Sequence, residues 1–208
     1  MKLIRSQEFA IVSAAWYEAD ATVSALKAAS IHHVQCELGV GSIKAAKNAA
    51  AVAEKCRGKN VIFIGTCGIF AEFSSVKIVR GSTVEWLPAC VRNGFAYSVP
   101  SEQGPFNLPL PLQTFVDLQP VNVICSSSIS LSPVPTPARP ILCVENLELF
   151  SCYEELSTSG NSLTVLLGIT NRIGPNAHPQ WTANHKIAAD QCANLIIRAL
   201  TTLDEPVI

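Results

Sequence analysis

Two nearly continuous apolar segments constrain the fold of this chain more than any other feature. They are NVIFI at residues 60–64 and SLTVLLGITN at residues 162–171, and their apolar residues follow one another instead of alternating with polar ones. Strands of this kind are typical of sheets buried on both faces. Because the second segment ends in a small polar tip, we expect it to carry Thr170 and Asn171 to the edge of a pocket. The alternative is that Asn171 only opens a turn.

Further apolar runs of strand length recur along the chain, and segments with helical periodicity separate them. Strands are predicted at residues 9–15, 33–38, 60–64, 81–86, 121–125, 141–144 and 162–171. Helices are predicted at residues 17–30, 43–56, 145–157 and 181–200. This order indicates an α/β fold with a central, twisted, largely parallel sheet flanked by helices. We expect a single domain spanning residues 1–208, a length sufficient for a sizeable core.

Residues 87–120 interrupt the pattern with six prolines and little periodicity. A segment of this length is too long for an ordinary connection in a compact domain. Its aromatic residues, which include Phe95, Tyr97, Phe106 and Phe115, favour a loop that covers something. A second proline-rich segment lies at residues 133–140.

The composition limits the possible partners and the compartment. With 49% hydrophobic and 15% charged residues, we expect a partner subunit to cover some apolar surface, so we predict a homo-oligomer. A net charge of −1 disfavours binding to nucleic acid or to an acidic membrane. The eight cysteines contain no CxxC pair, the first residues are too polar for an export signal, and no apolar run reaches membrane-spanning length. We therefore expect reduced thiols and a cytoplasmic protein.

Small or polar residues follow several of the predicted strands. They are Glu18, residues 66–68, residues 126–128, residues 145–148 and Asn171. Ligands of parallel sheets collect beyond the carboxyl ends of the strands, so these groups are expected to share one pocket. Each has a simpler explanation on its own: a carboxylate such as Glu18 stabilises a helix N-terminus, and GVGS at residues 39–42 is a tight turn.

These segments resemble, in order and through nearly the whole chain, motifs of the nucleoside phosphorylase superfamily. The resemblance is to the nucleosidases that hydrolyse 5′-methylthioadenosine, S-adenosylhomocysteine and futalosine. AAWYEA at 14–19 resembles the segment of the general base, and GVGS at 39–42 resembles the glycine turn. IGTCG at 64–68, VENLE at 144–148 and GITN at 168–171 resemble the purine-side strand end, the ribose-binding motif and the purine-recognition tip.

The resemblance implies a nucleoside phosphorylase-like fold and a role for three residues in catalysis. Glu18 would activate water, Glu148 would hold the ribose hydroxyls, and Asn171 would assist the departing purine. The implied substrate contacts are Val40, Thr66, Cys67, Gly68, Ile129, Asn146, Leu147, Thr170 and Trp181. No metal or organic cofactor is required. The family also implies a homodimer in which a loop of the second subunit closes the 5′ side, and residues 87–120 are the candidate for that loop.

Three departures from the family motifs refine the expected activity. Phosphorylases carry an arginine where this chain has Phe63, so phosphate would lack its charged partner and water is the expected nucleophile. Adenine-specific nucleosidases carry an aspartate where this chain has Asn171, and Leu167 replaces an arginine common among them. A side-chain amide suits a 6-oxopurine, as in the futalosine hydrolases, which release hypoxanthine in menaquinone biosynthesis.

Several points stay open at the level of sequence. His178 and His185 are candidates to contact the futalosine carboxylate, although ordinary surface positions explain both. Ile129 is expected to supply the apolar wall for the purine. Two other activities are consistent with the same residues: hydrolysis of 5′-methylthioadenosine and S-adenosylhomocysteine, and nucleoside binding without turnover.

Overall fold

Eight strands alternate with five α-helices in the computed structural model, which describes residues 8–97, 104–109, 112–132, 141–159 and 162–202. The strands are β1 (Phe9–Ser13), β2 (His33–Glu37), β3 (Asn60–Ile69), β4 (Lys77–Trp86), β5 (Phe106–Asn107), β6 (Pro120–Cys125), β7 (Leu142–Glu145) and β8 (Ser162–Arg172). The helices are α1 (Trp16–Ala28), α2 (Ser42–Cys56), α3 (Ala89–Arg92), α4 (Tyr153–Ser159) and α5 (Ala177–Thr202). Two short 3-10 helices lie at Gln113–Phe115 and Leu149–Ser151.

The strands form one mixed sheet in the order β2-β1-β3-β7-β6-β4-β5, and β8 pairs with both β3 and β4. Five of the eight pairings are parallel, so the sheet is largely parallel as the sequence predicts. β3 pairs with β8 along its whole length but with β7 only at Gly68 and Ile69. Strands β3, β8, β4, β6 and β7 therefore close into a ring, and β1 and β2 extend it on one side.

β3 shows why the continuous apolar runs form the centre of the protein. Val61 and Phe63 point into a core cluster shared with α2 and α4, whereas Ile62 and Ile64 point into a second cluster shared with α1 and α5. Alternate side chains of one strand thus fill both faces of the sheet. The prediction of an α/β fold with helices on both sides of the sheet is confirmed.

The helix predicted at residues 145–157 is wrong in its first half. Glu145 ends β7, a 3-10 turn follows at Leu149–Ser151, and α4 begins only at Tyr153. The side-chain oxygen of Asn146 accepts hydrogen bonds from the backbone N–H groups of Glu148 (3.0 Å) and Leu149 (2.9 Å). Asparagine competes with helix hydrogen bonds in this way, so the turn replaces the first helical residues.

The last helix begins earlier than predicted. α5 starts at Ala177, although residues 172–180 were expected to form a loop that ends before Trp181. Pro179 lies in the first helical turn, where its missing N–H has no helical acceptor to lose. This places His178 and Trp181 three residues apart on one helix, where side chains are neighbours.

The described parts of the proline-rich segment pack against the sheet. β5 pairs with β4, Leu108 and Phe115 are buried, and Phe106 stacks on Tyr153 at 5.6 Å between ring centroids. Phe95 and Tyr97 are exposed by 85% and 92%. Residues 98–103 and 110–111 of this segment, and the whole proline-rich segment 133–140, lie outside the described residues.

All eight cysteines are free thiols in the structure, and every one except Cys90 is buried. Most therefore act as small apolar core residues. None of the described helices combines the length and the apolar character that a bilayer-spanning segment requires.

Candidate active site

One cavity of about 260 Å³ lies where several strand ends converge. β1, β3 and β8 are parallel, so their carboxyl ends reach the same edge of the sheet. β7 meets the end of β3 from the opposite direction, with Glu145 paired with Gly68, and the chain that leaves β7 passes along the same edge. The lining residues are Ala14, Tyr17, Glu18, Val40, Thr66, Cys67, Gly68, Ile129, Glu145, Asn146, Leu147, Glu148, Asn171, Ile173, Ala177, His178 and Trp181.

Glu18 lies in the first turn of α1 and is 8% exposed. Its Oε1 accepts hydrogen bonds from the backbone N–H and the hydroxyl of Thr66, both at 3.1 Å, and its Oε2 accepts one from the Ala15 N–H at 3.3 Å. Burial and the negative charge of Glu148 together raise the pKa of Glu18 to about 7, against the opposing effect of these hydrogen bonds. Glu18 is therefore a carboxyl group that exchanges its proton near neutral pH.

Glu148 faces the same cavity from the turn after β7 and is 6% exposed. Its Oε1 accepts a hydrogen bond of 2.8 Å from the backbone N–H of Gly41. Gly41 has a φ of 91°, a conformation that favours glycine, and it caps the N-terminus of α2. Burial also raises the pKa of Glu148, and the Gly41 hydrogen bond opposes that rise. The predicted glycine turn thus holds a carboxylate of the protein itself.

Asn146 connects the Glu148 turn to β3. Besides accepting from two backbone N–H groups, its side chain donates to the carbonyl of Thr66 at 3.1 Å. One amide therefore sets the position of Glu148 relative to Thr66. Asn146 lines the cavity, as expected for a substrate contact, and both polar atoms of its amide make hydrogen bonds within the protein.

Asn171 lies at the end of β8 and is 8% exposed. Its Oδ1 accepts from the Thr170 hydroxyl at 2.9 Å, and its Nδ2 donates to the Arg172 carbonyl at 3.3 Å. Since Nδ2 carries two hydrogens, one remains for a ligand. Asn184 of α5 donates to the Thr170 carbonyl at 2.8 Å and ties this strand end to the helix.

Gly68 provides the space that the Asn171 amide occupies. A Cβ atom at this position would lie 2.9 Å from Nδ2 of Asn171 and 3.0 Å from a side-chain carbon of Ile173. Gly68 is also flanked in the sheet by Glu145 on β7 and by Asn171 on β8. A side chain at Gly68 would displace the amide from the cavity.

Glu145 is a third buried carboxylate at the cavity wall, and Arg92 and Ser130 pair with it. Its Oε2 accepts from the Ser130 N–H at 2.9 Å, its Oε1 accepts from the Ser130 hydroxyl, and Arg92 donates to Oε1 at 3.3 Å. The Arg92 side chain is 1% exposed and lies over the Phe70 ring at 4.8 Å. A buried carboxylate is costly unless it is paired and hydrogen-bonded, and this network supplies both.

Aromatic and imidazole rings form one side of the cavity along α5. Trp181 is stacked between His178 (5.7 Å) and His185 (4.6 Å), each at an interplanar angle of 18°. Tyr17 contacts Trp181 edge-on at 6.2 Å. His178 lines the cavity, whereas His185 does not, and the Nδ1 of His185 donates to backbone carbonyls of its own helix.

Eleven of the twelve residues expected in the site line this cavity. The twelfth, Thr170, is fully buried behind it and holds the Asn171 amide. Ile129 is in the wall and 57% exposed. The sequence assigned no role to Ala14, Tyr17, Ile173 and Ala177, although the first two lie inside the AAWYEA motif, Ile173 lies two residues after Asn171, and Ala177 precedes His178. Arg92 and Ser130 gave no signal, because only the folded chain brings them to Glu145.

The lining residues combine the carboxylates of Glu18 and Glu148, the paired carboxylate of Glu145, two side-chain amides and apolar walls. Lysine and arginine are missing from this set, so the described wall offers a phosphate dianion no permanently charged cation. The described residues also contain no cluster of three or more His, Cys, Asp or Glu side chains arranged to bind a metal ion. The site is therefore equipped for proton transfer and hydrogen bonding.

No protein-family model and no curated protein matches the sequence. Solved structures do match the fold. One is a mutant of the Helicobacter pylori 5′-methylthioadenosine/S-adenosylhomocysteine nucleosidase (MTAN) with 5′-methylthioadenosine in the active site. Its TM-score is 0.72 at 11% identity, and the match covers 95% of this chain and 99% of its own. A futalosine hydrolase mutant of Helicobacter pylori has a TM-score of 0.72 at 12% identity, with the same coverage.

A third match is the Streptococcus pneumoniae MTA/SAH nucleosidase in complex with 8-aminoadenine. Its TM-score is 0.73 at 17% identity, and it covers 94% of this chain and 99% of its own. The three structures thus agree over nearly the full length of both chains. The protein has the nucleoside phosphorylase fold that these nucleosidases share.

Proposed function

We propose that this protein hydrolyses the N-ribosidic bond of a purine nucleoside. The observation that supports this most is the pair of buried carboxylates in one cavity, Glu18 with a pKa of about 7 and Glu148 opposite it. Ionised Glu18 takes a proton from water, and the water oxygen attacks C1′ as the bond from C1′ to the purine nitrogen breaks. The sugar carries positive charge in this transition state, which negative carboxylates stabilise. Glu148 binds the ribose hydroxyls.

Water is the nucleophile in this proposal because the site does not suit phosphate. Phe63, at the position of the phosphorylase arginine, is fully buried in the core. The described lining contains no lysine or arginine, and two carboxylates would repel an incoming dianion.

The leaving base in this proposal is a 6-oxopurine. The amide of Asn171 is held by Thr170 on its oxygen side, so its nitrogen is the group available to the base. It donates to N7 or O6 of hypoxanthine and stabilises the negative charge that develops on departure. A neutral amide cannot protonate adenine as an aspartic acid can. Leu167 is fully buried and offers no charge to the cavity.

Futalosine is the substrate we favour, with hypoxanthine and dehypoxanthine futalosine as products. The apolar and aromatic side of the cavity, formed by Trp181 and Tyr17, suits a 5′ substituent that is itself aromatic. His178 is exposed at this side and is placed to pair with a substrate carboxylate. His185 supports Trp181 by stacking.

A homodimer completes the proposal. Val40 and Ile129 line the cavity yet are 55% and 57% exposed, and Ile43 and Leu131 next to them in the sequence are 84% and 68% exposed. Large apolar side chains exposed in and beside cavity-lining segments are typical of a surface that a partner covers. A second copy of the chain would bury this surface and narrow the entrance.

A substrate panel tests the proposal. Futalosine, aminofutalosine, 5′-methylthioadenosine and inosine are incubated with the protein, with and without phosphate, and the bases and sugars are separated by chromatography. We expect hypoxanthine and a free sugar from futalosine, at a rate that phosphate does not change. Rapid cleavage of methylthioadenosine with futalosine left intact would show an adenine-specific nucleosidase. A sugar phosphate product would contradict hydrolysis, and nucleoside binding without any product would show a binding protein.

A further inference from the structure

Trp181 makes a hydrogen bond in addition to lining the cavity. Its indole Nε1 lies 3.2 Å from the hydroxyl oxygen of Thr66, across 115 residues of sequence. The same hydroxyl lies 3.1 Å from Oε1 of Glu18. The three side chains therefore form a chain of hydrogen bonds that starts on α5, passes through β3 and ends on the carboxylate of α1.

The direction of this chain follows from the donors. An indole N–H can only donate, and it therefore occupies a lone pair of the Thr66 oxygen. A hydroxyl has one hydrogen, and in this geometry the carboxylate oxygen is its acceptor. A hydroxyl that accepts one hydrogen bond is also a stronger donor in the next, because the bonds polarise each other. We propose that Trp181 is a positioning residue for Glu18, whose indole N–H holds the Thr66 hydroxyl as a donor to the Glu18 carboxylate.

The surroundings of Trp181 hold the donor in place. Its ring lies between the His178 and His185 rings, and Tyr17 packs against it edge-on. These contacts restrict rotation of the indole, so the N–H points at Thr66 before any ligand binds. Phenylalanine would preserve the stack and remove only the donor.

Several titratable groups face Glu18 from the elements packed around it, and of these the charge of Glu148 opposes its ionised form, as burial does. Glu148 approaches from the turn after β7, Tyr17 lies beside it on α1, and Cys192 faces it from α5. Glu37 of β2 acts on Tyr17, and the two histidines flank Trp181. The hydrogen bonds that start at Trp181 counteract burial and the charge of Glu148, because they strengthen the hydrogen bond that Thr66 donates to the carboxylate oxygen.

The experiment is a carboxyl titration of the free protein. Samples carry ¹³C-labelled glutamate, the Glu18 resonance is assigned with Glu18→Gln, and its midpoint is followed by NMR. Trp181→Phe should raise the midpoint by roughly 0.5 pH unit, as expected for one neutral hydrogen bond acting through another. Thr66→Val should also raise the midpoint, and Thr66→Ser should leave it near the wild-type value. Trp16→Phe is the matched control, since Trp16 is 60% exposed and lies outside the cavity wall.

The double variant Trp181→Phe/Thr66→Val decides whether Trp181 acts through Thr66. We expect it to titrate like Thr66→Val alone. Additive shifts, or an unchanged midpoint in Trp181→Phe, would overturn the proposal. Trp181→Phe is also tested in a protein that carries His178→Gln and His185→Gln. If the Glu18 midpoint does not rise there by the same amount, the imidazoles cause the shift and the proposal is wrong.

A kinetic test rests on the proposed function and is read separately. The acid limb of kcat for futalosine hydrolysis should move up in Trp181→Phe by the same amount as the NMR midpoint. A rise in KM alone would show that Trp181 only contacts substrate. If no substrate is turned over at all, the proposed function fails, and the titration still decides the role of Trp181.

Discussion

At the scale of single residues, Glu18 shows the cost of a base held in a buried site. Its pKa is raised from 4.5 to about 7 because burial and the charge of Glu148 disfavour the ionised form. A raised carboxyl pKa means that the folded protein prefers the protonated acid. The contribution of Glu18 to the stability of the protein is therefore complete below about pH 4.5, and it is lost as the pH rises through about 7.

Glu18→Gln should accordingly lose activity and gain stability. We expect kcat to fall on the order of 10²–10⁴-fold, because no base activates the water. At about pH 8 the free energy of unfolding should rise by roughly 2–3 kcal/mol, since the amide never ionises. Chemical denaturation at about pH 8 and about pH 5 measures this difference, which should shrink at the lower pH. A variant less stable than wild type at the higher pH would contradict the burial argument.

Asn171→Asp tests whether the side chain at position 171 selects the purine by its 6-substituent. The aspartic acid can protonate N7 of an adenine and accept from its 6-amino group, whereas the amide favours a 6-oxopurine. We expect the ratio of kcat/KM for 6-aminopurine to 6-oxopurine nucleosides to rise by roughly 10-fold or more. Asn184→Ala, which loosens the same strand end without changing the amide, serves as the control. An unchanged ratio would remove Asn171 as the selector.

At the scale of elements, the turn between β7 and α4 shows how a local side chain overrules a helical pattern. Residues 145–157 contain enough apolar periodicity to predict a helix, yet the Asn146 side chain binds two backbone N–H groups and delays it. The same turn carries Glu148 to the cavity. A helix starting at Glu145 would place that carboxylate elsewhere.

Asn146→Ala should remove this turn's support. Three hydrogen bonds are lost, so we expect the free energy of unfolding to fall by roughly 2–4 kcal/mol. kcat/KM should fall as well, because Glu148 loses its fixed position. Asn146→Asp keeps the two acceptor bonds but not the donor to Thr66, and its stability should lie between the other two proteins. Urea denaturation with parallel kinetics measures both effects, and equal stabilities of all three proteins would exclude the positioning role.

The start of α5 is a second element that local patterns misplace. Pro175 and Pro179 suggest a loop, but a proline within the first helical turn loses no hydrogen bond. The tip of β8 was located correctly, because an apolar run that stops at polar residues is a local signal. The groups that reach this tip from other elements were not predictable: Gly68 on β3 leaves room for the Asn171 amide, and Asn184 on α5 donates to the Thr170 carbonyl beside it.

At the scale of the whole molecule, the exposed apolar residues at and near Val40 and Ile129 lead to a prediction about assembly. Leu131→Glu should weaken the proposed homodimer, because it places a charge in a surface that a second copy buries. Sedimentation velocity across a concentration series should show a dimer for wild type and a shift toward monomer for the variant. Ile187→Glu on α5 is the control, since α5 packs on the opposite face of the sheet from α2. A monomeric wild-type protein would exclude the dimer.

Local patterns of residues were enough to identify the class of fold and the candidate residues of the site. Continuous apolar runs require burial on both faces, and strands alternating with helices produce a largely parallel sheet, so the polar residues after each strand were sound candidates. How the strands close into a ring, and which side chains contact each other, depend on the folded chain. Trp181, Thr66 and Glu18 come from three elements, and Arg92, Ser130 and Glu145 from three other segments. Local patterns encode burial and turns, whereas these contacts depend on pairings between distant segments, which are set by the packing of the whole chain.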